Sequence, residues 1–255
     1  VNVVTWNVNS IRARLDRVLS WLGTHQPDVV CLQELKTDTP TFPRAPLEGL
    51  GYTVAHACQK TYNGVAILSR GPLENVQVGL QDEEEDPQAR FVAADTLGTR
   101  VLCAYVPNGQ AVGSEKYAYK LRWLDRLRRH LDEKCRPGDP LVLCGDFNVA
   151  PAPLDVHDPA AWEGETLFHP SSRAALQRVT AWGLTDTFRM HNPGGGLYSW
   201  WDYRMAAFPK NHGLRIDLVL TTESMARRCR ASSIDREERR GPQPSDHAPV
   251  VVTFD

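Results

Sequence analysis

The sequence predicts a layered α/β protein. Many short apolar runs of strand length alternate with only a few helical stretches. One of those stretches, Glu115–Lys134, repeats apolar residues at helical spacing over five turns. No regular strand–helix–strand rhythm and no GxGxxG turn occurs, which argues against a doubly wound nucleotide-binding fold.

Val1–Val8 reads as a strand entering a polar turn at Asn9-Ser10. A helix follows from Ile11 to about Gly23, because Ile11, Leu15, Val18, Leu19 and Leu22 share one face. Gly23 and Pro27 stop it. Asp28–Gln33 is a nearly continuous apolar strand ending at Glu34, and Asp38–Leu50, with three prolines, is irregular or weakly helical. Gly51–Ala57 and Gly64–Leu68 form strands, and Asp82–Asp86 reads as a solvated acidic loop. Arg90–Thr96 and Arg100–Val106 are strands about Gly98, the second leading into Pro107-Asn108-Gly109. The 115–134 helix presents Tyr117, Leu121, Leu124, Leu127 and Leu131 to a sheet, with Lys116, Lys120, Arg122, Arg126, Arg128 and Arg129 as surface charge. Leu141–Cys144 is a strand delivering Asp146 and Asn148 through a glycine turn. Beyond it come a helix over Arg173–Gly183 and an irregular aromatic segment, Tyr198–Tyr203. A strand over Arg215–Leu220, a charged loop near Asp235–Arg240 and a last strand over Ala248–Phe254 complete the chain. With no linker or repeat, residues 1–255 are expected to form one domain.

A hydrophobic fraction of 42% supports a substantial core and excludes global disorder. The net charge of −2 gives no basic signature of a nucleic-acid partner, yet it permits an acidic site beside a basic rim. Six cysteines form no CxxC pair. Cys31, Cys103 and Cys144 lie within apolar runs and read as small core side chains. No apolar run reaches membrane-spanning length, so a cytoplasmic, reducing location without membrane contact is expected.

Acid and amide residues gather where strands end: Asn7, Glu34, Asp146, Asn148, Asp217 and Asp246. Strand ends converge on a common opening, and carboxylates suit a hard cation such as Mg²⁺. Gly145-Asp146-Phe147-Asn148 and Ser245-Asp246-His247 are the strongest clusters. In the second, a histidine beside a carboxylate can balance developing negative charge. This much predicts metal-assisted phosphodiester chemistry.

Read in order, Thr5-Trp6-Asn7-Val8-Asn9, Leu32-Gln33-Glu34, Tyr105-Val106-Pro107-Asn108-Gly109, Gly145-Asp146-Phe147-Asn148, Leu214-Arg215-Ile216-Asp217 and Ser245-Asp246-His247-Ala248-Pro249 span nearly the whole chain. This arrangement resembles the exonuclease III / apurinic-apyrimidinic endonuclease family of the endonuclease/exonuclease/phosphatase superfamily. The resemblance implies a four-layer α/β sandwich, with two facing, mostly antiparallel β-sheets flanked by helices. It also implies roles: Glu34 as principal metal ligand, supported by Asn7 and Asp246, for Mg²⁺, with Mn²⁺ a substitute. Asp146 would orient or deprotonate the attacking water, and Asn148 would position it. His247, held by Asp217, would contact a phosphate oxygen, as would Tyr105 and Asn108.

Asn148-Val149-Ala150-Pro151 with Leu154-Asp155, and Ser199-Trp200-Trp201-Asp202-Tyr203-Arg204, resemble the DNA-repair branch. The implied partner is double-stranded DNA with abasic sites or 3′ ends, bound by a monomer. Trp200 would wall a pocket for the baseless sugar, whose extrusion costs less than that of an intact nucleotide. Leu214 and Ile216 would lie near it, Arg204 or Gln110 would enter the duplex, and Asn9 would join the DNA contacts. Three other readings stand beside this one: a mainly exonucleolytic or 3′-end-processing member, a phosphodiesterase for a non-DNA substrate, and a non-catalytic DNA-binding protein.

Overall fold

A computed structural model describes all 255 residues. Two six-stranded sheets stack face to face. The first runs, in spatial order, β13 (Cys229–Ile234), β14 (Val250–Phe254), β1 (Asn2–Asn7), β2 (Val29–Gln33), β4 (Val65–Ser69) and β3 (Thr53–Ala57). The second runs β5 (Glu74–Val78), β6 (Phe91–Thr96), β7 (Thr99–Tyr105), β8 (Leu141–Asp146), β12 (Asp217–Thr221) and β9 (Thr185–Asp186). Only β1–β2 and β7–β8 pair in parallel; the other ladders are antiparallel. A two-residue ladder joins β10 (Trp200–Trp201) to β11 (Gly213–Leu214).

Strand alternation builds the layers. Val3, Cys31, Ile67, Cys103, Cys144 and Val252 point between the sheets into a shared core. Their neighbours Val4, Leu32 and Leu68 face outward onto Trp21 and Leu22 of α1 (Leu15–His25) and Leu47 of α2 (Arg44–Gly49). On the far side, Leu102, Leu143 and Leu218 pack against α3 (Glu115–Lys134) and α5 (Pro170–Thr180). The four-layer sandwich expected from the sequence is thus present. Short helices α4 (Pro159–Trp162), α6 (Thr187–His191) and α7 (Glu223–Ala226) sit in the connections. All six cysteines are free thiols. No helix is long and apolar enough to cross a membrane.

Several elements differ from expectation for local reasons. The first helix starts at Leu15, because Asn9 and Ser10 adopt positive φ and the chain turns through residues 11–14; Ile11 remains as a buried anchor. The helix expected over Arg173–Gly183 begins at Pro170, with His169 as its N-cap accepting from the Ser171 amide. Strands β5, β9, β10, β11 and β13 lie outside the expected set. β5 is polar and largely exposed, and β13 alternates weakly, so neither shows a buried-strand pattern. The strand reading Leu141–Cys144 extends through Gly145 to Asp146, so Gly145 is a ladder residue. A Cβ there would meet the Ala104 carbonyl oxygen at 1.8 Å, which leaves only glycine compatible with this strand contact.

The acidic 82–86 segment is not simply solvated. Asp82 and Asp86 grip the buried Arg126 at 2.7 and 2.9 Å, and Asp86 also accepts from Tyr119. Nor is the charge of α3 all on the surface, because Lys120 and Arg126 are both buried. The Arg126 hydrogen bonds hold the Asp82 carboxyl below the usual carboxylate range, against the opposing effect of burial. A depressed carboxylate stabilises the fold fully above its unfolded pKa and loses that contribution as pH falls through its folded value. Arg126→Met is expected to cost about 3 kcal/mol at neutral pH, by stranding two carboxylates. Urea unfolding at pH 7 and pH 3 checks this: the penalty should shrink at the lower pH. A penalty below about 0.5 kcal/mol at pH 7 would identify an ordinary surface pair.

Candidate active site

Both parallel strand pairs end at the same edge of the sandwich, and the site forms there. Asp146 closes β8 between Tyr105, its register partner on β7, and Asp217, its partner on β12. Asn7 closes β1, Glu34 follows β2, and Asp246-His247 precede β14. The Asp146 carboxylate is buried. Its Oδ2 accepts from Asn7 Nδ2 at 2.9 Å and its Oδ1 from the Asn148 amide at 2.9 Å. Asn148 donates its own side chain to the Val106 carbonyl at 2.9 Å and accepts from Asn108 Nδ2 at 3.4 Å.

His247 lies between two carboxylates. Its Nδ1 is 2.8 Å from Asp217 Oδ2 and its Nε2 is 3.7 Å from Asp146 Oδ2. Burial lowers the imidazole pKa, but the charges of Asp217 and Asp146 outweigh it and raise it to about 10. Burial raises Asp146 to about 7, with Asp217 and Glu34 adding to it, against lowering by His247 and Asn7. A carboxylate that in water is a weak base is thereby shifted into the neutral range.

Toward the mouth, the Tyr105 hydroxyl donates to Glu34 Oε1 at 2.6 Å. Burial, then the Glu34 and Asp146 charges, push this phenol well above its ordinary pKa, so it stays a hydrogen-bond donor. Asn9 donates to Asp246 Oδ1 at 3.2 Å and accepts from Lys36 Nζ at 2.7 Å. The Trp200 indole donates to Asp246 Oδ2 at 3.0 Å. Of the paired tryptophans, Trp201 is fully buried and Trp200 partly exposed, so the segment read as irregular is anchored by one ring and presents the other. Leu214 and Ile216 are buried behind Trp200 with Val156, Leu167 and Phe168; they support its ring rather than line the opening. Arg204 is exposed and paired with Asp202. Gln110 lines a cleft of about 640 Å³ that runs from Tyr105 and Asn108 past Arg90 and Lys116. His212 is exposed and stacks on His157.

The model of the Endonuclease/Exonuclease/phosphatase family matches residues 4–247, a span that contains every one of these strand ends. The chain belongs to this family. Within the family it is similar to exodeoxyribonuclease III of Haemophilus influenzae, 35% identical over 98% of both chains. Among solved structures it is similar to an AP endonuclease from Archaeoglobus fulgidus, with 39% identity and a TM-score of 0.97 over 100% of this chain and 99% of that one. It is also similar to a 3′ phosphatase from Neisseria bound to a product DNA hairpin, with 42% identity and a TM-score of 0.96 over 100% and 99%. The chain is a nuclease of the exodeoxyribonuclease III type.

In this family member, two groups of side chains compete as a cation site. Asp146, Asp217 and His247 place ligand atoms within 4.8 Å of one another. In that group, His247 Nδ1 is already engaged by Asp217 Oδ2 at 2.8 Å. Toward the mouth, Glu34 Oε2 has no hydrogen-bond donor nearer than Lys36 Nζ at 3.8 Å, while Asp246 Oδ1 and Oδ2 accept from Asn9 and Trp200, and Asn7 Oδ1 from the Asn9 amide. A free carboxylate oxygen such as Glu34 Oε2 suits a hard divalent ion that keeps water ligands.

Three supports of the site carry no local sequence signal of their own. Ser199 Oγ donates to Asp217 Oδ2 at 2.6 Å, and its only signal was its place before Trp200. Arg215 bridges the buried Asp155 at 2.6 Å and Asp186 at 2.7 Å, beneath Leu214 and Ile216. Lys120 was read as surface charge, and no local pattern sets it apart from the other cations of α3.

Proposed function

We propose that this chain is a Mg²⁺-dependent DNA-repair phosphodiesterase that incises duplex DNA on the 5′ side of abasic sites, leaving a 3′ hydroxyl, and that also trims 3′ ends. The observation that carries the reading is the buried Asp146, held by the Asn7 side chain and the Asn148 amide at 2.9 Å each, with His247 Nε2 at 3.7 Å. Asp146 takes the proton of the attacking water, and the Asn148 amide fixes the carboxylate's orientation. His247 presents Nε2–H to a non-bridging phosphate oxygen, while Asp217 holds its Nδ1–H. Tyr105 and Asn108 donate to the phosphate as charge accumulates on it. Glu34, Asn7 and Asp246 would hold Mg²⁺, or Mn²⁺ in its place, which supplies positive charge toward the phosphoryl and leaving oxygens. The names of the similar exodeoxyribonuclease III, AP endonuclease and 3′ phosphatase support a DNA substrate.

Trp200 supports the abasic preference, as a partly exposed ring beside Asp246 with Trp162 edge-on at 6.1 Å. The test uses matched duplexes carrying an abasic analogue, a normal nucleotide or a recessed 3′ phosphate, with and without Mg²⁺. Dominant Mg²⁺-dependent incision at the abasic position is expected. Phosphate release or stepwise 3′ loss alone would move the assignment to 3′-end processing, and binding without cleavage under every metal condition would overturn it. Trp200→Ala is expected to reduce the preference for abasic over normal duplex about 10- to 100-fold. Trp200→Phe, which keeps a ring but loses the Asp246 bond, should retain most of it. Equal discrimination by the alanine variant and wild type would remove Trp200 from lesion recognition.

A further inference from the structure

We propose that Lys120 is a positioning residue that fixes the two catalytic asparagine loops against each other and against the wall of the sugar pocket. The inference rests on the phosphodiesterase reading above. Lys120 lies in the middle of α3 with its side chain fully buried, a costly place for an ammonium unless every N–H is used. All three are used. Nζ donates to the backbone carbonyls of Asn108 at 3.1 Å, Asn148 at 2.6 Å and Thr166 at 2.9 Å.

Those acceptors come from three segments far apart in sequence, and each has a place in the site. Asn108 Nδ2 meets the Asn148 side chain at 3.4 Å, the Asn148 amide holds Asp146, and Thr166 leads into Leu167 and Phe168, which back Trp200. The loops also close over the lysine. Gly109 sits so near it that a Cβ would lie 3.0 Å from Lys120 Cδ and 3.1 Å from the Tyr117 ring. From the next turn of the helix, the Tyr117 hydroxyl meets Ser172, whose Oγ donates to the same Thr166 carbonyl at 2.7 Å. A methionine of the same length would fill this volume but join none of the loops. N–H donors in this three-way geometry are therefore what the position requires, and chemistry and lesion recognition share one tether.

The test compares Lys120→Met with Leu131→Ala, a core variant on the same helix away from the loops, in the full-length protein with Mg²⁺. Lys120→Met is expected to lower the single-turnover rate on the abasic duplex about 100-fold with DNA affinity changed less than threefold. Leu131→Ala, at a similar loss of Tm, should stay within threefold in rate. Amide protection of Asn148, whose N–H donates to Asp146, should fall at least tenfold in Lys120→Met alone. If Lys120→Met does not fold, Lys120→Gln, which retains two N–H donors, takes its place with an intermediate loss. Equal rate losses in the two helix variants, or unchanged Asn148 protection, would overturn the proposal. A wild-type protein inactive on the abasic duplex but active on the 3′ phosphate would revise the substrate, and the Lys120 comparison is then read on that substrate. Were wild type inactive on both, the functional reading would fail and the protection measurement alone would decide Lys120.

Discussion

Asp146→Asn is expected to lower the single-turnover cleavage rate by about 10³- to 10⁴-fold while leaving DNA affinity equal or tighter. The carboxylate oxygens each accept an N–H, from Asn148 and from Asn7, and Oδ2 also faces His247. An amide keeps the size but places an NH₂ against one of those donors and cannot take a proton from water. Affinity should not fall, because the lost negative charge repels the phosphate in the wild type. Stability should change little, since desolvation of the ionised Asp146 opposes folding. Single-turnover rates, anisotropy at one fixed salt concentration and thermal unfolding separate the three quantities. A variant within tenfold of the wild-type rate would show that Asp146 neither takes the proton nor fixes the water.

The sequence reading found the strand ends because their signal is local: an apolar run, then an acid or amide. Asn7, Glu34, Asp146 and Asp217 all follow that rule or its mirror image, and the ladder registers bring them together. The long helix was legible to the residue, because Ser114 caps it and its apolar stripe is continuous. Long-range partners were not legible. That Asp82 meets Arg126, Arg215 meets Asp155, or Lys120 meets three carbonyls depends on loops folding back over 40 residues or more in most cases. A charge on a helix reads as solvated unless its distant acceptor is known. The paired sheets themselves came from the family resemblance; periodicity alone gave only an α/β mixture. Likewise Trp200 and Trp201, adjacent and chemically identical in sequence, take opposite surroundings because successive residues of β10 point to opposite faces.

Asp217→Asn is expected to lower the rate about 10²- to 10⁴-fold, with a defect that deepens as pH rises. One oxygen of Asp217 accepts both Ser199 Oγ–H and His247 Nδ1–H, while its Oδ1 is buried without a partner. An asparagine oriented to keep those two bonds buries an unpaired NH₂, at a cost of about 1–3 kcal/mol. In the opposite orientation it drives His247 into the wrong tautomer, the failure that costs on the order of 10⁴ in kcat when a buried orienting aspartate is replaced by asparagine. Either way the imidazolium loses the largest of the charges that raise its pKa. In the wild type, that raised pKa favours the charged His247 up to about pH 10, and its contribution to stability, complete below about 6.5, is lost as pH rises from there through about 10. In the variant the charge disappears at lower pH, so the ratio of wild-type to variant rate should be larger at pH 9 than at pH 6. Ser199→Ala leaves both the aspartate charge and the His247 bond in place and should keep the wild-type pH profile with a smaller loss. A pH-independent Asp217→Asn defect would mean that Asp217 only orients the ring, and a loss under tenfold would detach the Asp217–His247 pair from the chemistry of Asp146.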